Sequence, residues 1–320
     1  MNSLEPIGID ALPHEKSGSR GEYVLGRRGL WVPPAKERLE AVDLFCGAGG
    51  FSIGLEAAGI DVVAAVENDT AAAITYLHNL GSPRGCAVAH VRLEDQERFH
   101  KALQRCQRRR HHPFEVVPGD HGWIGHTRLS RDGFGQWSGC GADAGCRGMV
   151  FGDARQVTGE LVFEALDAAG WVGSVDLVVG GPPCQGISHA NAKRSPGDAR
   201  NSLLIHFVRL ADELGASNWI MENVPPLIKD KRFRPLLMGV VDEARDRGYT
   251  VCANVIDCVN YGVPQRRRRA IIQGAKAGRP IPHLPIPTNW SLVFDVDGRE
   301  LHELEETEEP EVLSAQAALF

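Results

Sequence analysis

A cysteine, a carboxylate and a run of guanidinium groups, each beside an apolar stretch, are the parts of this sequence equipped for covalent chemistry. Cys184 closes the stretch Val175-Asp176-Leu177-Val178-Val179-Gly180-Gly181-Pro182-Pro183-Cys184. An apolar, β-branched run ended by Gly-Gly reads as a buried parallel strand, and the two prolines cannot continue its ladder. The strand therefore delivers the thiol at its carboxyl end, where open α/β sheets hold their ligands, along a path stiffened by proline. A presented nucleophile is one reading; a small apolar cysteine filling a turn is the other. Glu222 follows Asn218-Trp219-Ile220-Met221 and precedes Asn223-Val224-Pro225 in the same grammar. Its apolar approach would raise the carboxyl pKa and let it hold or donate a proton. Arg266 to Arg269 lead into an apolar run at Ala270 to Gln273. On a strand, Arg267 and Arg269 share one face and Arg266 and Arg268 the other, so one pair can face a crevice while the outer pair serves as a charged edge.

A second group of residues has binding rather than bond-making character. Ala41 to Phe45 reads as a short strand, Cys46-Gly47-Ala48-Gly49-Gly50 as a glycine turn, and Phe51 to Ala58 as a helix stopped by Gly59. Glycines admit close approach of a ligand, and the helix amino terminus behind them favours polar or anionic groups. The next strand, Asp61 to Val66, ends at Glu67, 20 residues beyond Gly47. An acidic side chain there commonly accepts hydrogen bonds from ribose hydroxyls. The combination points to an adenosine-containing cofactor and leaves nicotinamide and S-adenosylmethionine both open.

These residues need a scaffold, and the rest of the chain supplies a matching pattern. Asp69 caps a predicted helix through Leu80, Met149 to Phe151 reads as a strand ending at Gly152-Asp153, and helices are predicted over Leu161–Ala169, Asn201–Leu214 and Arg234–Arg247. Tyr249 to Ile256 is a further strand. Alternating strands and helices predict an α/β fold with a doubly wound sheet. Between 82 and 148 the pattern loosens into a basic helix, Leu93 to Arg110, and a glycine-rich stretch, so a surface insertion is expected there. It holds Cys140 and Cys146 with His111, His112, His121 and His126 upstream, in spacings that match no tight CxxC pair, and no metal site is expected.

With 320 residues and 43% hydrophobic content, the chain can bury one large core or two small ones. Eight scattered cysteines form no disulfide framework, and neither a signal-peptide core nor a membrane-length apolar run is present, which predicts a reduced, cytoplasmic setting in which Cys184 stays a thiol. The net charge is −6, yet Asp295 to Glu311 carries nine acids against Arg299 alone, a local −8 that leaves the remainder at +2. The basic clusters Arg105–Arg110 and Arg266–Arg269 suit a phosphate backbone. The expected organisation is an arm over 1–36, a catalytic domain over 37–290 and an acidic tail over 291–320.

Four short motifs together resemble the ordered set of the cytosine-C5 DNA methyltransferases: Phe45-Cys46-Gly47-Ala48-Gly49-Gly50, Gly180-Gly181-Pro182-Pro183-Cys184-Gln185, Glu222-Asn223-Val224 and Gln265-Arg266-Arg267-Arg268-Arg269. The likeness covers 40–288, interrupted by the insertion. It implies a Rossmann-like sheet of the class I methyltransferase type, S-adenosylmethionine as cofactor, and double-stranded DNA whose target cytosine is flipped into the pocket. By motif position, Cys184 would be the nucleophile, Glu222 would hold N3 and the exocyclic amine, and Arg267 and Arg269 would steady the base. Phe45, Gly47, Gly49, Gly50, Glu67, Asp153 and Leu203 would form the cofactor site, and Pro183, Gln185, Ser188, Arg200 and Asn223 would meet the substrate. Complete members of the family continue into a sequence-reading domain and further motifs that this chain lacks; a second subunit supplying them is the expectation, with a degraded or minimal form as the competing explanation. A non-catalytic DNA-binding subunit, a transfer RNA methyltransferase and a dinucleotide-dependent oxidoreductase stand as alternatives; the last leaves Pro183-Cys184-Gln185 and the arginine run without a purpose.

Overall fold

The computed structural model of the protein describes residues 38–82, 85–108, 145–188, 190–281 and 284, together with the backbone of five short strands elsewhere. Most of the expected arm and acidic tail lies outside the described residues, as do Cys140, His111, His112, His121 and His126. Two of the short strands, Val24–Leu25 and Trp31–Val32, pair with each other.

The strands of the domain are β1 (Glu40–Leu44), β2 (Asp61–Glu67), β3 (Cys86–His90), β4 (Glu115–Pro118), β5 (Thr127–Ser130), β6 (Gly148–Phe151), β7 (Leu177–Gly180), β8 (Asn218–Asn223), β9 (Tyr249–Asp257), β10 (Arg268–Lys276) and β11 (Glu311–Val312). They form one sheet in the order β11-β9-β10-β8-β7-β1-β2-β6-β3-β5-β4. Its six central strands, β8 to β3, run parallel. The pairs at either side are antiparallel.

The helices are α1 (Gly50–Ala57), α2 (Thr70–Leu80), α3 (Leu93–Arg108), α4 (Gly159–Ala168), α5 (Leu203–Glu213), α6 (Pro226–Lys229) and α7 (Arg234–Asp246). Strand periodicity sorts them onto two faces. Val42 and Leu44 of β1 pack with α4, α5 and α7, whereas Ala41 packs with Leu55 of α1. The far side of the sheet is covered by α2 and α3 around Tyr76, Phe99, Met149 and Phe151. Among the described residues no helix is long and apolar enough to cross a membrane.

The expected insertion begins too early. Cys86–His90 lies in the sheet beside β6, and Leu93–Arg108 buries Phe99 and Leu103 against it. The sequence hides this because β3 is only five residues long and α3, though amphipathic, is polar over most of its surface and has few apolar residues. Cys146 sits in the same core as Cys86 and donates to the Gly148 carbonyl at 3.1 Å, the behaviour of a buried thiol.

Sheet order places a crossover at the centre. From β1 the chain winds outward through β2 and later returns to β7 on the other side of β1. Neighbouring connections that leave in opposite directions open a crevice at the carboxyl ends of β1 and β7, the ligand position of doubly wound sheets. Register keeps those ends level: Leu44 is opposite Gly180, which is opposite Met221.

Below the crevice floor, Asp43 is fully buried. The Ser52 hydroxyl donates to its Oδ2 at 2.6 Å, which leaves the Tyr76 hydroxyl, 2.8 Å from Ser52 Oγ, to donate in turn. Asp43 Oδ1 has no partner. Burial pushes the Asp43 carboxyl up to about 7, against the lowering effect of Ser52. An unfolded aspartate ionises near ~4, so this group favours the fold fully below that pH, and the contribution is lost as pH rises through 7. Asp43→Asn cannot ionise and keeps an acceptor for Ser52. Its thermal stability relative to wild type is expected to rise between pH 5 and 8, by an amount on the order of a few kcal/mol. Parallel melting curves across that range would refute the buried acid.

Candidate active site

The three chemical groups arrive on three adjacent strands. After β7, the Gly181-Pro182-Pro183 segment leaves the sheet, and the Cys184 carbonyl accepts from Ile187 and Ser188 N–H at 2.9 and 2.8 Å, folding the thiol into a tight turn. Cys184 is half-buried and outside any disulfide. The turn is held from below by Asn223, which is 1% exposed and donates from Nδ2 to the Pro182 carbonyl at 3.1 Å, while its Oδ1 accepts from Val224 N–H at 2.9 Å. The structure therefore gives Asn223 a different task from the expected substrate contact. It fixes the proline pair, because alternation along β8 points position 223 into the core and position 222 out of it.

Glu222 emerges at the end of β8, opposite Ile271 of the antiparallel β10. That pairing brings Arg269 into an ion pair between its Nε and Glu222 Oε1, with side-chain exposures of 20% and 31%. Burial raises the Glu222 pKa, and Arg269 and then Arg267 pull it back down without cancelling the rise. Arg267 and Arg269 thus both act on the carboxylate, as the strand alternation requires. Gly181 leaves space here, since a Cβ on it would lie 3.3 Å from Glu222 Oε2.

A cavity of about 360 Å³ joins these groups to the glycine-loop side of the sheet. It is lined by Phe45, Glu67, Asn68, Asp153, Ala154 and Leu203 at one end and by Pro183, Cys184, Gln185 and Glu222 at the other. Its size falls within the roughly 300–1,000 Å³ usual for small-molecule sites. Phe45 has φ 58, the one non-glycine residue with positive φ among the described residues, so its ring is held at the cavity by a backbone conformation that costs about 1–3 kcal/mol. Glu67 accepts three backbone N–H groups: Gly47 at 2.8 Å, and Asn68 and Asp69 each at 2.7 Å. One carboxylate thereby ties the glycine turn to the start of α2, with one acceptor position left on Oε2.

The glycines divide into two kinds. Gly47 and Gly50 have open space where a Cβ would stand, and so admit a close neighbour. Gly49, expected at the cofactor, instead faces the core: with φ +99, its Cβ would fall 2.1 Å from Leu80 Cδ1. It is a packing glycine, serving the close approach of the turn to α2.

Asp153 follows β6 and is gripped by Arg155, whose Nε lies 3.0 Å from both carboxylate oxygens; that hydrogen bonding holds the Asp153 pKa below the usual carboxylate value. Arg200 and Ser188 lie in the loop leaving the thiol and not on the cavity wall. Arg200 donates to Asp198 and to Gln185 Oε1, and Ser188 Oγ accepts from Ala190 N–H at 3.3 Å. Two further residues have no obvious sequence signal. Asn68 lines the cavity next to Glu67 and accepts from Arg98 of α3 at 2.7 Å. Arg98 in turn lies over the Phe151 ring, 4.7 Å from its centroid. Among the described residues no cluster of His, Cys, Asp or Glu is placed to hold a metal.

The profile of the C-5 cytosine-specific DNA methylases matches residues 39–102 and 146–312. The chain belongs to that family. The break in the match, 103–145, is narrower than the 82–148 expected from sequence, and β3 and the first part of α3 fall within the matched residues. Among curated relatives, the type II methyltransferase M.XorII of Xanthomonas oryzae is 32% identical over 80% of this chain and 45% of its own length. The type II methyltransferase M.DdeI of Desulfomicrobium norvegicum is 27% identical over 83% of this chain and 47% of its own. The type II methyltransferase M.AquIA of Picosynechococcus is 25% identical over 81% of this chain and 82% of its own. The chain thus spans about half the length of the first two and most of the third.

Two outcomes test the site of this family member. In a carbon-13 titration of labelled glutamate, Glu222 is expected to titrate above an ordinary glutamate and higher still in Arg269→Met, since the larger of the two lowering partners is gone; a downward movement would contradict the pairing. Asn223→Ala leaves the Pro182 carbonyl without its donor and is expected to cost about 1–3 kcal/mol in denaturant unfolding. An unchanged midpoint would remove Asn223 from the support of the thiol turn.

Proposed function

We propose that this chain transfers a methyl group from S-adenosylmethionine to C5 of a cytosine flipped out of double-stranded DNA, through a covalent adduct with Cys184. The observation that carries this reading is the single cavity that has a thiol and an arginine-paired glutamate at one end and Phe45, Glu67, Asp153 and Leu203 at the other. A dinucleotide oxidoreductase has no use for the first end. The cofactor fit is chemical as well as volumetric: carboxylates at Glu67 and Asp153 suit ribose hydroxyls and an adenine amine, the Phe45 ring suits a flat base, and open Gly47 admits close contact. When bound, the cofactor supplies an electrophilic methyl on a sulfonium centre.

C5 of cytosine is too weak a nucleophile to take that methyl unaided. The Cys184 thiolate adds to C6, forming a sulfur–carbon bond and driving the C5–C6 electron pair onto C5. Glu222, whose pKa burial raises, delivers a proton at N3 so that the ring does not accumulate charge. Arg269 holds the carboxyl in place, and Arg267 adds positive charge beside it. Once C5 has taken the methyl group, with the donor's sulfur leaving as a neutral thioether, loss of the C5 proton to solvent, departure of the Cys184 sulfur from C6 as thiolate and return of the N3 proton to Glu222 restore the aromatic ring. Extruding the base costs a few kcal/mol, which contacts to flanking phosphates must offset. We place sequence reading outside the described residues, in a further segment or a second polypeptide, because the described residues form one sheet with its helices. A reduced cytoplasmic compartment suits a thiol nucleophile.

The full chain, given radiolabelled S-adenosylmethionine and duplexes with 5-fluorocytosine, is expected to form an adduct that survives denaturation. Cys184→Ala is expected to abolish both adduct and methyl transfer while cofactor affinity stays within about twofold. Methylation by the alanine variant would overturn the assigned nucleophile.

A further inference from the structure

Arg209 stands on α5, outside every motif picked out in the sequence, and its guanidinium is fully engaged. Nη2 donates to the Val157 carbonyl at 2.8 Å and reaches the Ala154 carbonyl at 3.5 Å. Nη1 pairs with Glu213 Oε1 at 2.6 Å, and Nε faces His206 Nδ1 at 3.4 Å. Both carbonyls belong to the segment that leaves β6 through Asp153, and Ala154 itself lines the cavity. Glu213 continues the linkage: its other oxygen, Oε2, accepts from Gly159 N–H at 2.8 Å, the first residue of α4. Gly159 must be glycine for this, since a Cβ there would lie 2.8 Å from Glu213 Cβ and 2.9 Å from its carbonyl oxygen.

The Asp153-to-Gly159 segment therefore hangs at two points from one ion pair on α5. The opposite end of the same helix begins at Leu203, a cavity-lining residue reached directly from the thiol loop. Charge-assisted donors to backbone carbonyls are among the stronger hydrogen bonds, and the planar guanidinium fork serves several acceptors at once where an ammonium is a point charge.

We infer that Arg209, with Glu213, is a positioning residue for the adenine end of the cofactor. It locks the Asp153 segment to α5, so that the Asp153 carboxylate and Leu203 meet the ligand as one preformed wall. The inference rests on the methyl-donor reading above and adds to it a residue that never touches the ligand.

Calorimetry on the full chain separates the possibilities, with S-adenosylmethionine and adenosine as ligands and wild type, Arg209→Met, Arg209→Lys and Glu213→Gln as proteins. In Arg209→Met the Kd for S-adenosylmethionine is expected to rise roughly tenfold, and that for adenosine by the same factor, because the affected wall holds the part they share. Arg209→Lys, which keeps the charge and loses the fork, is expected to fall between wild type and Arg209→Met. The Kd for duplex DNA should move by less than about twofold; a merely structural weakening would degrade both ligands' binding and DNA binding together. If Arg209→Met does not fold, Arg209→Lys and Glu213→Gln carry the test with the same two ligands. A folded variant that binds both ligands as wild type does overturns the inference alone. A wild-type chain that fails to bind S-adenosylmethionine sinks the donor reading, and this inference with it.

Discussion

The site depends on the level registration of three parallel strands. Leu44, Gly180 and Met221 lie side by side across β1, β7 and β8, so the segments that follow them start from one edge of the sheet. Parallel hydrogen bonding fixes that register, and a slip of one residue would turn every core side chain of a strand outward. Trp219 makes such a slip in β8 expensive. Its indole is fully buried, with Phe207 and Tyr249 edge-on at 5.8 and 6.2 Å, and a buried side chain of that size is worth several kcal/mol. Glu222 and Asn223 inherit their opposite orientations from that anchored strand.

Opposing electrostatic demands meet at the crevice. A carboxyl in a partly dry site tends to stay protonated, whereas an adjacent guanidinium favours ionisation. For Glu222 burial outweighs two arginines, so its pKa stays above the ordinary carboxyl value while Arg269 holds the side chain in place. The antiparallel strand β10 is essential here, because it runs back along β8 and returns Arg269 to the end from which Glu222 projects. On the cofactor side the carboxylates are treated differently. Glu67 is satisfied by three backbone N–H groups, and Asp153 by Arg155, so both are oriented before any ligand arrives. Preorientation of this kind reduces the ordering cost of binding.

Support comes from outside the motifs. Arg98 steadies Asn68 from α3, Arg209 steadies the Asp153 segment from α5, and Asn223 steadies the proline pair from within β8. In each case a polar side chain meets a group that would otherwise be left loose or unpaired beside the cavity. A site held to a fraction of an ångström needs such a surrounding layer as much as the groups that react.

Much of this was legible in the amino-acid order. Local rules sufficed for the β1-turn-α1 unit, for Asp69 as the cap of α2, where it accepts from Ala72 N–H at 2.9 Å, and for the strand ends that carry Cys184 and Glu222, because each depends on neighbours within a few residues. Alternation along a strand likewise placed Arg267 and Arg269 together. Other assignments depended on partners far along the chain. Gly49 and Gly47 look alike in sequence, yet one meets Leu80 and the other open space; Asn223 looks as available as Glu222 until the core closes over it; β3 gains its stability from β6, 61 residues away. The sequence by itself determined which chemical groups stand at strand ends, since periodicity and turn residues are local properties. Tertiary structure alone decided which of them face the cavity and which hold it in shape, since that choice is made by burial and by hydrogen-bond partners that only folding brings within reach.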